Sequence, residues 1–202
     1  MRNISFDDAI IPRNLIKCGD KLYMYSLEGK VYCYNKSIKK FELIVGNKLG
    51  EPRTHSSVCV DSKLLYISTS RIGYLLDKGL VKEIVKKANF GFGYVFKGNN
   101  NEVYLGGSDG LSLMKDWKIF RKYEYENRHE KIIRIRCGAL YRDKVMLGGL
   151  FGLWEFSNGK LKSWKDKTPI FSKRIEDIRI DNYERMWIAT RTNGVVVVDG
   201  SK

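Results

Sequence analysis

Short hydrophobic segments separated by polar turn residues run through the whole chain. Within each segment the apolar residues alternate with polar ones or follow one another without a break, and clusters of Gly, Asn, Asp and Lys lie between the segments. Alternation with a period of two is typical of β-strands, and such clusters are typical of the turns that join them. The pattern therefore predicts strands and turns without an amphipathic helix.

One kind of segment recurs five times along the chain. Each copy has two apolar residues, a third apolar residue and then small ones, and a glycine follows a few positions later. The copies are Lys21–Ser26, Leu64–Thr69, Glu102–Gly107, Lys144–Gly149 and Arg185–Thr190. Their central residues, separated by 43, 38, 42 and 41 positions, are Tyr23, Tyr66, Tyr104, Met146 and Trp187. A repeat of this length is typical of one propeller blade.

The repeat predicts an all-β fold, a five-bladed β-propeller of four-stranded antiparallel blades in a single domain over residues 1–202. The last repeat has only three predicted strands, and residues 3–7 form one spare strand. We expect this N-terminal strand to pair with the last blade, which closes the ring and leaves no open sheet edge. The predicted blades are residues 14–45, 56–88, 92–125, 131–165, and 175–199 plus 3–7. A piece of a larger propeller is the alternative, because repeat arrays gain and lose whole units.

The last repeat carries a family resemblance. Residues 178–190 are Ile-Arg-Ile-Asp-Asn-Tyr-Glu-Arg-Met-Trp-Ile-Ala-Thr, followed by Asn193, Gly194 and Val195. This segment resembles the two-component regulator propeller repeat, with its apolar strand, Asp-rich turn and Leu-Trp-Ile-Gly-Thr strand. The resemblance is weaker in the first two copies. It implies the propeller fold and a sensor role in signal transduction, as in the extracytoplasmic regions of bacterial hybrid histidine kinases, which detect glycans or other small ligands. Fold alone does not fix function.

The composition is strongly basic, with 37 Lys and Arg against 23 Asp and Glu and a net charge of +14. A positive field favours anionic partners such as nucleic acid, acidic glycans or a membrane surface. Many of the lysines are predicted on the outermost strands, where lysine also discourages sheet edges from pairing. Charge therefore leaves both interpretations open.

Cysteine usage and the N-terminus set further expectations. The predicted strands contain four cysteines whose spacing fits neither a zinc site nor a redox pair: Cys18, Cys33, Cys59 and Cys137. We expect them to be buried as small apolar residues, and the sequence does not exclude one disulfide among them. No metal and no cofactor is predicted.

Asp7 and Asp8 interrupt any signal peptide, and no apolar run is long enough for a membrane span. The sequence as it stands predicts a cytoplasmic protein, and an extracytoplasmic one if a leader precedes it.

Loops at one mouth of a propeller channel are the expected binding surface. Arginine presents a rigid planar fork for carboxylate or phosphate, and aromatic rings stack on sugars. The predicted ligand-binding residues are Arg71, Asp109, Phe151, Arg191, Phe92, His129 and Arg174. Three further arginines interrupt the predicted innermost strands and are expected to face the channel: Arg134, Arg136 and Arg179. A charge at such a position needs solvent, a buried partner or an anion.

No catalytic residue is predicted. His55 stands beside Ser56 and Ser57 without a nucleophile motif, and Glu176 and Asp177 are adjacent on a strand and would point to opposite faces. We therefore expect a non-enzymatic, sensor-like propeller that binds a carbohydrate, an anionic small molecule or a protein partner. The alternatives are a nucleic-acid or polyanion binding protein, a fragment of a larger propeller sensor and, less favoured, a glycosidase.

Overall fold

The structure is a computed structural model that describes residues 10–26, 30–46, 54–68, 73–85, 92–107, 110–124 and 134–199. The chain divides into two compact units, Met1–Ala88 and Asn89–Lys202. Each unit is built from consecutive antiparallel sheets, so the two are described in turn.

The first unit contains two four-stranded blades. In each, the strands follow one another across the sheet in chain order, as hairpin connections require. Blade 1 comprises β1 (Pro12–Cys18), β2 (Lys21–Ser26), β3 (Val31–Asn35) and β4 (Lys40–Val45). Blade 2 comprises β5 (Thr54–Val60), β6 (Lys63–Ser68), β7 (Gly73–Asp77) and β8 (Leu80–Val85).

The second unit contains the remaining three blades. Blade 3 comprises β9 (Phe92–Lys97), β10 (Val103–Gly107), β11 (Gly110–Lys115) and β12 (Lys118–Glu124). Blade 4 comprises β13 (Ile135–Tyr141), β14 (Lys144–Gly149), β15 (Gly152–Ser157) and β16 (Lys160–Ser163). A short 3-10 helix, Pro169–Ser172, precedes blade 5, which comprises β17 (Ile175–Ile180), β18 (Met186–Thr190) and β19 (Val195–Val198).

The predicted fold class is confirmed. The chain is a five-bladed β-propeller of antiparallel four-stranded sheets, with three strands of the last blade among the described residues. Residues 3–7, predicted to complete the last blade, lie outside the described residues. The closing strand and the single-domain boundaries therefore stay predictions.

Neighbouring blades of the second unit pack face to face, and alternation along each strand decides which side chains take part. We call the face that a blade turns toward the following blade its leading face, and the opposite face its trailing face. Met146 and Leu153 on the leading face of blade 4 join Ile178, Met186 and Ile188 on the trailing face of blade 5 in one buried cluster. Blade 3 packs on blade 4 in the same way, through Phe96, Leu111, Ile135, Val145, Leu147 and Phe156.

The small residues that end each copy of the repeated segment have a packing role. A methyl group added to Gly106 would collide with the side chain of Ile135, and one added to Gly148 would collide with that of Ile175. Each glycine thus forms a notch on a leading face, and an isoleucine from the next blade's first strand fills it. The first glycine of each Gly-Gly pair therefore marks a close approach between consecutive blades.

The second repeat is offset by one residue from the alignment used in the sequence analysis. Pro12 pairs with Ser26 in blade 1, and Thr54 pairs with Ser68 in blade 2, so these positions correspond. Counting back along both strands, Leu65 rather than Tyr66 is the equivalent of Tyr23. A shift of one residue moves a side chain to the opposite face of a sheet. Tyr66 accordingly packs in one cluster with Tyr23 and Tyr25 of blade 1.

Two of the four cysteines form the single disulfide that the sequence left open. Cys18 of β1 and Cys59 of β5 form a disulfide with a sequence separation of 41 residues, close to one repeat. In the backbone register, Cys18 lies opposite Lys21 and Cys59 lies opposite Leu64. When the two blades are aligned, these positions differ by one residue along the strand. The Cys18 and Cys59 side chains therefore lie on opposite faces of their own blades. Opposite faces of consecutive blades face each other, and this brings the sulfurs together. Cys33 and Cys137 are free.

Candidate functional site

The first strand of every blade carries a register irregularity near its start. In each case one residue is skipped between two consecutive pairs with the second strand, as in a β-bulge. The skipped residues are Arg13, His55, Gly93, Arg136 and Glu176. A bulge re-aims a side chain away from the regular alternation, and bulges are over-represented beside functional sites. Four of the five bulged residues are ionisable, which makes this level of the sheets the place to look for chemistry.

In the second unit, two of these bulged residues meet. The Arg136 Nε atom lies 3.2 Å from Glu176 Oε2, and Arg174 Nε lies 2.6 Å from Glu176 Oε1. One carboxylate therefore bridges two guanidinium groups that come from β13 and from the residue directly before β17. The three side chains are 32%, 26% and 33% exposed, so the cluster is partly covered but open to solvent.

An aromatic ring borders the cluster. The Arg136 guanidinium carbon lies 5.9 Å from the centre of the Tyr94 ring. Tyr94 directly follows the bulged Gly93 of β9, so blades 3, 4 and 5 each contribute a residue from the same level of the first strand. A cation over an aromatic face is held in place by the ring quadrupole.

The electrostatics of the cluster favour an additional anion. Two positive charges share a single negative one, so the trio keeps a net positive charge. The Arg136 and Arg174 Nε atoms are buried against the Glu176 carboxylate, while both side chains remain partly exposed. A carboxylate or phosphate is the group whose geometry the guanidinium fork matches.

The local chain path fixes Arg174 rigidly. The buried Phe171 of the 3-10 helix and the buried Ile175 of β17 anchor the backbone on either side of it. The Arg191 backbone N–H donates to the Arg174 carbonyl oxygen at 3.0 Å, which holds the β18–β19 turn against the same segment. Within that turn, the Asn193 N–H donates to Thr190 Oγ1 at 2.9 Å. The site is therefore built on ordered backbone.

The structure places some predicted residues together and others apart. Arg136 and Arg174 meet at Glu176, and Arg191 adjoins Arg174 through the backbone while its own side chain is exposed. Phe151 is exposed in the β14–β15 turn, and Arg134 is exposed directly before β13. Arg179 lies elsewhere, with its Nε 2.8 Å from Asp177 Oδ2 on the leading face of blade 5.

Four predicted ligand-binding residues cannot be placed. Arg71, Asp109 and His129 lie outside the described residues, and for Phe92 only the backbone is described. Their proposed role stays a prediction. Within the described ranges, no three potential metal ligands gather, and no helix is long and apolar enough to cross a membrane.

Sequence reasoning missed the roles of Glu176 and Tyr94 in this cluster. Glu176 was treated only as half of a catalytic carboxylate pair. The signal that could have revealed it is the recurrence of an ionisable residue near the start of the first strand in four of the five blades. A β-bulge cannot be recognised from the pattern of apolar and polar residues in one sequence. Strict alternation therefore assigns the bulged residue to the wrong face of the sheet.

Comparisons with known proteins agree with this architecture. No family model matches the chain, and no curated protein matches it in sequence. Among solved structures, the extracellular domain of the hybrid two component system BT4673 from B. thetaiotaomicron superimposes with a TM-score of 0.77 at 16% identity. The alignment covers 97% of this chain and 28% of that one, so the chain spans less than a third of that protein's domain.

Two further structures extend the comparison. Virginiamycin B lyase from Staphylococcus aureus aligns with a TM-score of 0.70 at 12% identity, over 97% of this chain and 72% of the lyase. YCF48, solved bound to D1 peptide, aligns with a TM-score of 0.71 at 10% identity, over 98% of this chain and 66% of its own. Identities this low support the fold and carry no activity across. The structural neighbours thus include the extracellular domain of a two component system, a protein bound to a peptide and an enzyme.

Proposed function

We propose that this protein is a non-enzymatic, sensor-like propeller that binds an anionic ligand, such as an acidic carbohydrate, at the Arg136–Glu176–Arg174 cluster. The observation that carries the proposal is the convergence of two guanidinium groups on one carboxylate beside Tyr94. The arginines supply charge-assisted donors for a ligand carboxylate, Glu176 can accept from a ligand hydroxyl, and the Tyr94 ring offers an apolar face to a sugar.

The same residues argue against hydrolysis at this cluster. A glycosidase needs one carboxyl group that can hold a proton and a second that is free to act as base or nucleophile. Glu176 is bridged by two arginines, and Asp177 is paired with Arg179. Neither carboxylate is placed for such a role, which favours binding over catalysis.

Isothermal titration with glucuronate tests the proposal, with glucose as the neutral match and inorganic phosphate as a second anion. We expect glucuronate to bind and glucose to bind more weakly. Arg136→Gln and Arg174→Gln should each weaken glucuronate binding about tenfold or more, because a hydrogen bond to a charged group contributes about 1.5–3 kcal/mol. Glu176→Gln should strengthen binding, because it removes the carboxylate that competes for the arginines.

Lys162→Gln is the matched control, since it removes the same charge from an exposed position on β16. It should leave glucuronate affinity unchanged. If Lys162→Gln weakened glucuronate binding as much as Arg136→Gln, the effect would come from the overall charge of the protein, and the assigned site would be refuted. Phosphate binding without glucuronate binding would keep the anion site and reject the carbohydrate.

A polyanion binder is the second candidate, and the outer strands of blades 3 and 4 favour it. Lys118 and Lys122 on β12 and Lys160 and Lys162 on β16 are all exposed. A row of lysines can follow a phosphate backbone without recognising sequence.

A further inference from the structure

Arg134 and Arg174 hold the same place in their repeats. Arg134 directly precedes Ile135 of β13, and Arg174 directly precedes Ile175 of β17. Both isoleucines are buried, and each fills the glycine notch of the preceding blade. In both strands the residue after the isoleucine is the bulged one. The repeat therefore makes the two arginines equivalent in position.

The neighbours of these two arginines carry opposite charges. In blade 5, Arg174 Nε lies 2.6 Å from the carboxylate of Glu176, two residues further along the chain. In blade 4 the same two positions hold Arg134 and Arg136. Two residues of extended chain span at most about 7 Å, so blade 4 holds two like charges close together. With Glu176 bridging Arg136 and Arg174, the four side chains carry three positive charges and one negative charge.

The backbone of Arg134 has a left-handed conformation, with a φ of 42°. Side chains other than that of glycine disfavour this region. Among the described residues, every other non-glycine residue with a positive φ lies in a turn between consecutive strands of one blade, where tight hairpins require it. Arg134 lies instead directly before the first strand of blade 4. A disfavoured backbone that no hairpin requires is typical of a functional site.

The two equivalent arginines also differ in exposure. Arg174 does not share the positive φ, and its side chain is 26% exposed against Glu176. Arg134 is exposed to solvent. Its guanidinium group can therefore approach a ligand from the solvent side, while Arg136 and Arg174 approach the same ligand from the Glu176 side.

We infer that Arg134 completes the anion site of the Arg136–Glu176–Arg174 cluster and that the ligand carries two negative charges close together. This inference rests on the proposed function and narrows its ligand. A singly charged carboxylate leaves one of the positive charges of the four side chains uncompensated, whereas two negative charges compensate all of them. A phosphate monoester carries about two negative charges above neutral pH, and two neighbouring carboxylates carry the same total.

Isothermal titration of the full chain with two glucose esters tests the charge of the ligand. At about pH 8, glucose 6-phosphate carries about two negative charges, and glucose 6-sulfate has nearly the same shape but carries one. We expect the phosphate ester to bind about tenfold more tightly or better, because it gains a charge-assisted hydrogen bond. Glucarate against gluconate makes the same comparison for two carboxylates and one, and shows which kind of dianion the site prefers.

The two proposals fail in different ways. Equal affinities within both pairs of ligands would refute the inference and leave the proposed anion site intact. If neither the esters nor glucuronate bind, the proposed function fails and the inference fails with it.

Arg134→Gln tests the assigned residue. It should lower the affinity for glucose 6-phosphate about tenfold and change that for glucose 6-sulfate little, so that the preference disappears. Lys162→Gln removes the same charge from an exposed position of β16 and should keep the preference. An Arg134→Gln variant that retains the preference, or that weakens both esters equally, would overturn the role of Arg134.

The strained backbone gives an independent measurement. Arg134→Gly and Arg134→Ala both remove the guanidinium group, and both should lose the preference for the doubly charged ester. Arg134→Gly should nevertheless unfold at a higher temperature than Arg134→Ala, because glycine adopts a positive φ without steric cost. The reverse order in thermal melts would contradict a left-handed backbone held for ligand binding.

Discussion

At the scale of single residues, Asp181 shows how one carboxylate can organise a turn. Its Oδ1 accepts from the backbone N–H groups of Tyr183 and Arg185, at 2.9 Å and 3.0 Å. Its Oδ2 accepts from Arg185 Nε and Trp187 Nε1, at 2.7 Å and 2.9 Å. A short acceptor side chain at this position favours the turn, and here it also fixes the indole ring of Trp187.

Asp181→Asn should lower the midpoint temperature of thermal unfolding. The midpoint of this variant should also fall less than that of the wild type when the pH is made acidic. Desolvation alone would raise the pKa of Asp181, but the hydrogen bonds from Trp187, Arg185 and Tyr183 outweigh it and hold the pKa well below its ordinary value of 3.8. A depressed pKa adds stability at pH values above 3.8, and this stability is lost as the pH falls through the folded-state pKa. Thermal melts from neutral to acid pH measure it.

The exposed turn residue Asp166 offers a control, because Asp166→Asn removes the same charge without this hydrogen-bond network. Its midpoint should follow the wild type across the pH range. If Asp181→Asn kept the full acid dependence of the wild type, the network would not be the source of that stability.

At the scale of strands and blades, the sequence repeat was sufficient for the fold and insufficient for the site. Period-two alternation, the turn residues and a repeat of about 40 residues predicted the all-β propeller because each depends on local chemistry. The alignment slipped by one residue at Tyr66, since adjacent apolar residues in Leu64–Ile67 give no sign of which faces the next blade. The pairing of Arg136 with Glu176 depends on two bulges in different blades, and pattern reasoning has no access to either.

The disulfide belongs to this scale because it joins the first strands of blades 1 and 2. Cys18→Ser should destabilise the protein, because an unfolded chain without the cross-link regains the conformational entropy of the 41-residue loop. The chain-entropy model gives about 4 kcal/mol for a loop of this size, and measured losses are commonly about 2–4 kcal/mol. Urea unfolding followed by fluorescence measures the change.

Cys59→Ser should cost as much as Cys18→Ser, and the double variant no more than either. Cys33→Ser serves as a control, since Cys33 is free and half-buried. A reducing agent should bring the wild type to the level of the Cys18 variant. A midpoint that the reducing agent leaves unchanged would show that the bond does not form.

At the scale of the whole molecule, a net charge of +14 has two competing explanations. Lysines on outermost strands can act only to prevent edges from pairing, or they can also bind a polyanion. The exposed Lys118, Lys122, Lys160 and Lys162 of β12 and β16 fit both explanations. The salt dependence of binding separates them, because phosphate contacts release counterions and edge protection does not.

Titration of the full chain with a fluorescent duplex DNA at several salt concentrations decides between these explanations. A polyanion binder should lose affinity with a log–log slope of about −0.9 for each phosphate neutralised, so a contact through four lysines gives a slope near −4. Lys118→Gln with Lys122→Gln should then reduce the slope by about two units, whereas Arg136→Gln should not change it. If the protein does not bind DNA at physiological salt, the outer lysines serve to prevent sheet edges from pairing. The Arg136–Glu176–Arg174 cluster then remains the proposed binding site for an anionic ligand.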